Sequence, residues 1–71
     1  MFDEKALRHA MIDADCTMKE LAKTCEISPS ALYRRVNGRI SFTLGEIEKC
    51  SGRLNLSPDR RNKIFFAREV S

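Results

Sequence analysis

The sequence predicts an all-α fold, a compact bundle of five short helices, on three observations. Apolar residues recur at helical spacing, each helical stretch begins with a side chain suited to capping a helix, and no stretch alternates in polarity long enough to predict a strand. The chain has 71 residues, which is the length of one small domain. We therefore expect residues 1–71 to form a single domain around an economical core.

The first two helices are predicted from their caps and apolar faces. Asp3 can cap a first helix from about Glu4 to Ala14. Thr17, followed three residues later by Glu20, has the spacing of a capping box and predicts the start of a second helix. The apolar faces are Leu7, Ala10, Met11 and Ala14 in the first helix, and Met18, Leu21, Ala22 and Cys25 in the second.

The last three helices are predicted in the same way. A serine before a proline at 28–29 and again at 57–58 predicts the starts of the third and fifth helices, because proline at the first helical position loses no hydrogen bond. Gly38 can end the third helix in a left-handed conformation, and Thr43 with Glu46 can cap the fourth. The fourth helix is expected to bury Leu44, Ile47, Ser51 and Leu54, with Cys50 beside that face.

The end of the chain is less regular. The fifth helix is expected to cover about 58–67. Residues 66–71 are compatible with a frayed tail or with a pairing strand, and the tail is favoured because chain ends usually fray.

Charge is distributed unevenly. The formal net charge is +3 and the calculated pI is about 9.0, which favours an acidic partner such as nucleic acid. The first fifteen residues are net acidic, whereas the stretch from Ser28 to Ser41 is basic and contains no acidic residue. The basic surplus is therefore concentrated on the predicted third helix and the loop that follows it.

Several classes of protein are disfavoured. Apolar runs are too short to span a membrane, and the first residues do not resemble a signal peptide. The three cysteines form no CxxC pair, so reduced thiols in the cytoplasm are expected. No nucleophile–base pair, glycine-rich phosphate loop or set of metal ligands is evident, so we expect no catalytic residues, cofactor, metal or small-molecule ligand.

The most informative stretch runs from Thr17 to Arg39. It predicts two short helices joined by a tight turn, and such a turn makes helices cross steeply, so that one projects while the other supports it. The small side chain of Ala22 allows the two to approach closely. The positions expected to hold the pair together are Leu21, Ala22, Cys25, Ile27, Leu32 and Val36.

This stretch resembles the helix-turn-helix domain of the phage Cro and repressor type, the XRE-like (xenobiotic-response-element-like) family. The resemblance is carried by Leu21-Ala22, Ile27-Ser28-Pro29-Ser30, Leu32-Tyr33-Arg34-Arg35 and Asn37-Gly38-Arg39, and it continues through Phe42-Thr43-Leu44. It implies a five-helix bundle of the lambda-repressor-like type, with the helix-turn-helix at about 17–38. It also implies a double-stranded DNA operator as partner, bound by a homodimer.

The resemblance also implies which residues contact DNA. Those expected at base edges are Pro29, Ser30, Ala31, Tyr33, Arg34 and Arg35. Those expected at the DNA backbone are Thr17, Met18, Lys19, Ser28, Asn37 and Arg39. Separately, the fifth helix ends in three large apolar residues, which is more than one buried face needs. One or two of them are expected in the core and at least one at a dimer contact, for which Phe65 and Phe66 are the candidates.

Two positions depart from the family pattern. Glu26 lies at the turn position that is usually glycine, where a left-handed backbone costs a non-glycine residue about 1 kcal/mol. Arg35 lies at a position that is usually apolar, and Leu32 with Val36 can still form the buried stripe.

The function predicted is a sequence-specific transcriptional regulator, most like a Cro-type repressor. One alternative with the same fold is an antitoxin or an excision regulator of a mobile element. An alternative of another class is a protein-interaction module that binds an acidic partner through the basic face.

Overall fold

A computed structural model describes residues 2–66, which form five helices and no strand. The helices are α1 (Glu4–Asp13), α2 (Met18–Cys25), α3 (Pro29–Val36), α4 (Leu44–Arg53) and α5 (Pro58–Phe65). The predicted all-α, five-helix fold is confirmed. The first helix ends one residue earlier than predicted, and the fifth ends two residues earlier. The choice between a frayed tail and a pairing strand at 66–71 concerns residues that lie largely outside the described ones.

Every helix begins at the predicted capping residue. Asp3, Thr17, Ser28, Thr43 and Ser57 each accept a hydrogen bond from the backbone N–H three residues later. In α2 and α4 the bond is reciprocated, because a glutamate carboxylate in the first turn accepts from the N–H of the cap. These bonds satisfy N–H groups that have no partner inside the helix.

Four of the five helices end in the same backbone arrangement. A residue with positive φ follows each of α1 to α4: Asp15 (54°), Glu26 (59°), Gly38 (80°) and Asn55 (53°). The next N–H bonds back to a carbonyl five residues earlier, as from Arg39 to Arg34, which is the Schellman motif. Of these four residues, only Gly38 was predicted from its residue type to take this conformation. The other three ends are marked by apolar residues that follow the turn and pack on the core: Cys16, Ile27 and Leu56.

Gly38→Ala is expected to lower the free energy of unfolding by about 1 kcal/mol. An added Cβ would meet no atom within 4 Å, so the cost comes from the positive φ alone. For a domain of this size, thermal unfolding should fall by about 4–8 °C.

The matched control is Gly52→Ala, which also adds a methyl group in open space but lies within α4. That variant should unfold at a higher temperature, because alanine favours the helix by about 0.5–1 kcal/mol over glycine. If both variants shifted in the same direction, backbone conformation at Gly38 would not explain its role.

The core is built from the predicted apolar faces, except that Leu44 is exposed and four other predicted residues are only half-buried: Ala14, Met18, Ile27 and Ser51. Its fourteen buried residues are Leu7, Ala10, Met11, Cys16, Leu21, Ala22, Cys25, Leu32, Val36, Ile47, Cys50, Leu54, Ile64 and Phe65. Leu44 was expected among them and is 70% exposed instead, whereas Cys50 is completely buried. At about 100° per residue, Leu44 lies almost 90° around α4 from the centre of the stripe formed by Ile47, Cys50 and Leu54.

Three phenylalanines join the segment before α1, the loop between α3 and α4 and the end of α5. The rings of Phe2, Phe42 and Phe65 lie 5.2–5.9 Å apart, and the backbone N–H of Asp3 donates to the carbonyl of Ile64 at 2.8 Å. Such ring spacings are favourable for aromatic pairs. This cluster holds α5 beside the start of α1 and beneath the loop between α3 and α4.

The three cysteines are buried, and burial raises the pKa of each thiol. Cys25 on α2 and Cys50 on α4 bring their sulfurs to 2.8 Å inside the core. A thiol with a raised pKa is protonated at neutral pH, so these cysteines pack as small apolar side chains. None of the five helices has the length and apolar character needed to cross a membrane.

Candidate nucleic-acid interface

The turn between α2 and α3 brings the two helices together as the sequence predicts. Glu26 has the left-handed conformation expected at this position, and its carboxylate accepts a hydrogen bond from Lys49 of α4. Leu21 and Ala22 of α2 and Leu32 of α3 are completely or almost completely buried. Packing between these small and apolar side chains therefore holds the two helices of the helix-turn-helix together.

The outward face of α3 carries most of the residues predicted to contact bases. Pro29, Ser30, Tyr33 and Arg34 are exposed, and Ala31 is half-buried. The Tyr33 side chain is 54% exposed, so it contributes little to the core. Short side chains near the start of this helix allow close approach to another surface, and Arg34 adds a long cationic side chain one turn later.

Arg35 does not share this outward face. Its Nε donates to Oε1 of Glu46 at 2.7 Å, and its Nη1 donates to the carbonyl of Ala31 at 3.1 Å. The two charged side chains are only 15% and 11% exposed. Arg35 thus occupies the usually apolar position as a paired, largely buried cation facing α4, away from the surface for which base contact was predicted.

The residues predicted at the DNA backbone lie at the starts of two helices and at the exit of α3. Thr17 is fully engaged in its cap, because its N–H donates to Glu20 Oε1 at 3.0 Å and its hydroxyl oxygen accepts from the Glu20 N–H. The hydroxyl of Ser28 accepts from the N–H of Ala31. Of the other four residues, Lys19, Asn37 and Arg39 are exposed, and Met18 is half-buried.

The cap of α2 determines which donors remain at its start. Glu20 N–H and Leu21 N–H bond to Thr17, so the N–H groups of Met18 and Lys19 are the ones left without a partner in the helix. Hydrogen bonds from Thr17 hold the pKa of Glu20 below its usual value, and Arg53 lies 3.7 Å from its other oxygen. The Glu20 carboxylate therefore stays ionised next to these donors, with Arg53 as its ion-pair partner.

Ion pairs are distributed unequally over the described residues. Five pairs join Glu4 to Arg8, Asp13 to Arg60, Glu20 to Arg53, Glu26 to Lys49 and Glu46 to Arg35. They engage basic residues of α1, α4 and α5, but only Arg35 of the helix-turn-helix. The bases of α2, α3 and the exit loop that form no ion pair in residues 2–66 are Lys19, Lys23, Arg34 and Arg39.

The other unpaired bases in that part of the chain, Lys5, Arg61 and Lys63, are spread over α1 and α5. The positive charge available for a partner is thus densest on the helix-turn-helix. Lys23 belongs to this set although the sequence interpretation did not select it. The Thr17–Glu20 spacing could have identified Lys23 from the sequence, because it fixes the register of the second helix and places Lys23 on its polar side.

The two residues predicted for dimerisation lie in different environments. Phe65 packs against Phe2 and Phe42 and is buried within the chain. Phe66 is 43% exposed. The boundary between core and surface therefore lies between these two neighbours: Phe65 belongs to the core, and Phe66 remains exposed.

No cluster suited to metal binding is found among residues 2–66. Comparison with curated proteins and comparison with solved structures give no match. The model of a helix-turn-helix family matches residues 7–60, a span that begins inside α1, includes α2 to α4 and ends in the first turn of α5. This chain therefore belongs to the XRE-like helix-turn-helix family, whose members are sequence-specific DNA-binding transcription regulators.

Proposed function

We propose that this chain is a Cro-type repressor that binds a pseudo-palindromic operator as a homodimer. The observation that carries the proposal is the position of the unpaired bases. Lys19, Lys23, Arg34 and Arg39 lie on the helix-turn-helix and its exit loop, whereas four of the five ion pairs neutralise bases elsewhere. Unpaired cations on one surface are what a polyanionic duplex would engage.

In the proposed complex, the start of α3 lies in the major groove. Ser30 and Ala31 are short enough to let the helix approach base edges, and Arg34 is placed to pair with O6 and N7 of a guanine. Arg35 is left out of the base-contacting set, because its guanidinium is already bound to Glu46 and to the Ala31 carbonyl.

Phosphates would be bound on either side of α3. On one side lie the unpartnered N–H groups of Met18 and Lys19 together with the Lys19 ammonium group. On the other side lie Asn37 and Arg39, on the Schellman turn that ends α3. These contacts position the protein and carry no sequence information of their own.

We place the proposed dimer contact at Phe66, with Ile40 as a second apolar residue. Both are exposed, and both line a surface groove of about 500 Å³ between the exit loop of α3 and the end of α5. Burying such residues against a second copy would remove apolar surface from water. Two copies related by a twofold axis would present two α3 helices about 34 Å apart, and occupation of a promoter by this dimer in the cytoplasm would block RNA polymerase.

Selection from random duplex DNA tests this function. We expect a twofold symmetric consensus whose half-sites are about 10–10.5 base pairs apart. If Lys19, Lys23 and Arg39 of each copy contact phosphate, a dimer neutralises six phosphates, and log Kd should rise with log salt concentration with a slope of about 5.

Three outcomes are distinguishable. An asymmetric consensus without a second half-site would contradict the dimer while retaining DNA recognition. Absence of any enriched sequence would contradict specific binding altogether. Enrichment of the expected consensus, with binding insensitive to salt, would mean that the unpaired bases are not the phosphate contacts.

A further inference from the structure

A shallow apolar recess lies on the surface proposed to face DNA. It occupies about 410 Å³ between the first residue of α2 and the first turns of α3, and is lined by Met18, Pro29, Ser30, Tyr33 and Arg34. Met18, Pro29 and the ring of Tyr33 form its apolar walls. Ser30 and Arg34 supply a polar, cationic edge.

The apolar walls of this recess lie outside the core or at its edge, where Met18 packs against the buried residues. The close aromatic pairs in residues 2–66 involve only Phe2, Phe42 and Phe65, so the Tyr33 ring stacks on no other ring there. Tyr33 is 54% exposed and Met18 is only partly buried. Around them lie the exposed residues Ser30, Arg34 and Lys19, so the recess is an apolar spot within a polar and basic surface.

The major groove of DNA offers one apolar group at the edges of its bases. That group is the C5-methyl of thymine, and the other groups there are hydrogen-bond donors and acceptors. The cationic edge at Arg34 suits a site in a polyanion, which favours a base in duplex DNA over an apolar protein segment as occupant.

We infer that this recess receives the methyl group of one thymine in each operator half-site. The inference rests on the proposed function and adds to it a specificity determinant, formed by Met18 of α2 together with Pro29 and Tyr33 of α3. Discrimination would come from burying the methyl group against these walls, so it requires no hydrogen bond to the thymine.

The test replaces each thymine of the selected operator by deoxyuridine, which removes the methyl group and leaves all hydrogen-bonding atoms in place. At one thymine in each half-site, Kd should rise about fourfold, the effect of burying one methyl-sized group. Other thymines should show no change. The measurement is titration of the purified 71-residue chain against each labelled duplex at one salt concentration.

Two protein variants then assign the effect to the recess. In Met18→Ala and in Tyr33→Ser, the difference between thymine and deoxyuridine should vanish at that position. Tyr33→Ser changes an exposed side chain, so it provides a folded variant even if Met18→Ala is destabilised. Ile12→Ala is the matched control, because Ile12 is an exposed apolar residue on α1, and this variant should keep the full fourfold difference.

Several results would overturn the inference. One is a consensus that contains no thymine, another is a thymine scan with no sensitive position, and a third is sensitivity that persists in both variants. Each leaves the proposed DNA-binding function intact. Failure to select any sequence would instead overturn that function, and the inference with it.

Discussion

Arg34→Ala is expected to remove most of the preference for operator over random DNA, whereas Arg39→Ala should weaken binding to both alike. Arg34 is exposed on the outward face of α3 and forms no ion pair in the described chain. Loss of a bidentate contact to guanine costs about 1–3 kcal/mol per half-site and does not affect random DNA to the same extent. Arg39 follows the turn at the end of α3, where a phosphate contact would be independent of sequence.

The measurement is the ratio of Kd for operator to Kd for shuffled DNA, determined over a range of salt concentrations. Arg34→Ala should change the ratio, and Arg39→Ala should lower the salt slope by about 1 for each phosphate that is no longer bound. Arg8→Ala is the control, since Arg8 is paired with Glu4 on α1 and should affect neither quantity. If Arg34→Ala kept the wild-type ratio, the assignment of α3 as the base-reading surface would be wrong.

Glu46→Ala is expected to lower the free energy of unfolding by about 2–3 kcal/mol. The substitution removes the partner of Arg35, a cation that is only 15% exposed, and also removes the acceptor for the Thr43 N–H. Breaking a fully buried pair from one side costs about 3–5 kcal/mol, and the partial exposure here reduces that cost. A domain of this size has roughly 4–10 kcal/mol in total, so thermal unfolding should fall by about 10 °C or more.

Glu46→Gln should cost less, because an amide oxygen can still accept hydrogen bonds from both partners while the charge is lost. Glu48→Ala is the matched control, since Glu48 is an exposed residue of the same helix and has no ion pair among residues 2–66. Chemical denaturation of the four proteins at neutral pH gives the comparison. Equal stability of Glu46→Ala and Glu48→Ala would show that the Arg35 pair contributes nothing.

The same set of variants should respond differently to acid. Burial raises the pKa of Glu46, but the hydrogen bonds from Arg35 and from the Thr43 N–H outweigh it, so that the pKa in the folded protein lies below its usual value. The contribution of Glu46 to stability is therefore complete above the pKa of the unfolded chain, near 4.5, and is lost as pH falls through the lower, folded value. Wild type should lose more stability on acidification than Glu46→Gln.

Much of the fold follows from interactions between residues close in sequence. The five helix starts were predicted correctly because a cap is an interaction over three residues, visible as Thr17 with Glu20 or as Ser28 before Pro29. Helix ends were predicted less well. Asp15 and Asn55 take the left-handed conformation that residue type indicates clearly only at Gly38. They do so because the apolar residues after them are drawn into the core.

The candidate site shows the same division between local and long-range effects. The order of helix, turn and helix and the acid-free stretch from Ser28 to Ser41 are properties of the sequence. Together with the family resemblance, they predict a DNA-binding surface. The exposure of Leu44 and the burial of Phe65 depend on how whole helices pack, and neither was predicted.

The sequence by itself thus determined the helices, their order and the location of the basic surface, because capping, helical periodicity and charge act over a few residues. Only the tertiary structure decided which of two adjacent arginines is available to a partner. Arg34 and Arg35 point about 100° apart on α3, and the second is drawn inward by a carboxylate on α4, eleven residues away. The physical reason is that a cation removed from water requires a fixed partner, and Glu46 reaches that position only when α4 packs beside α3.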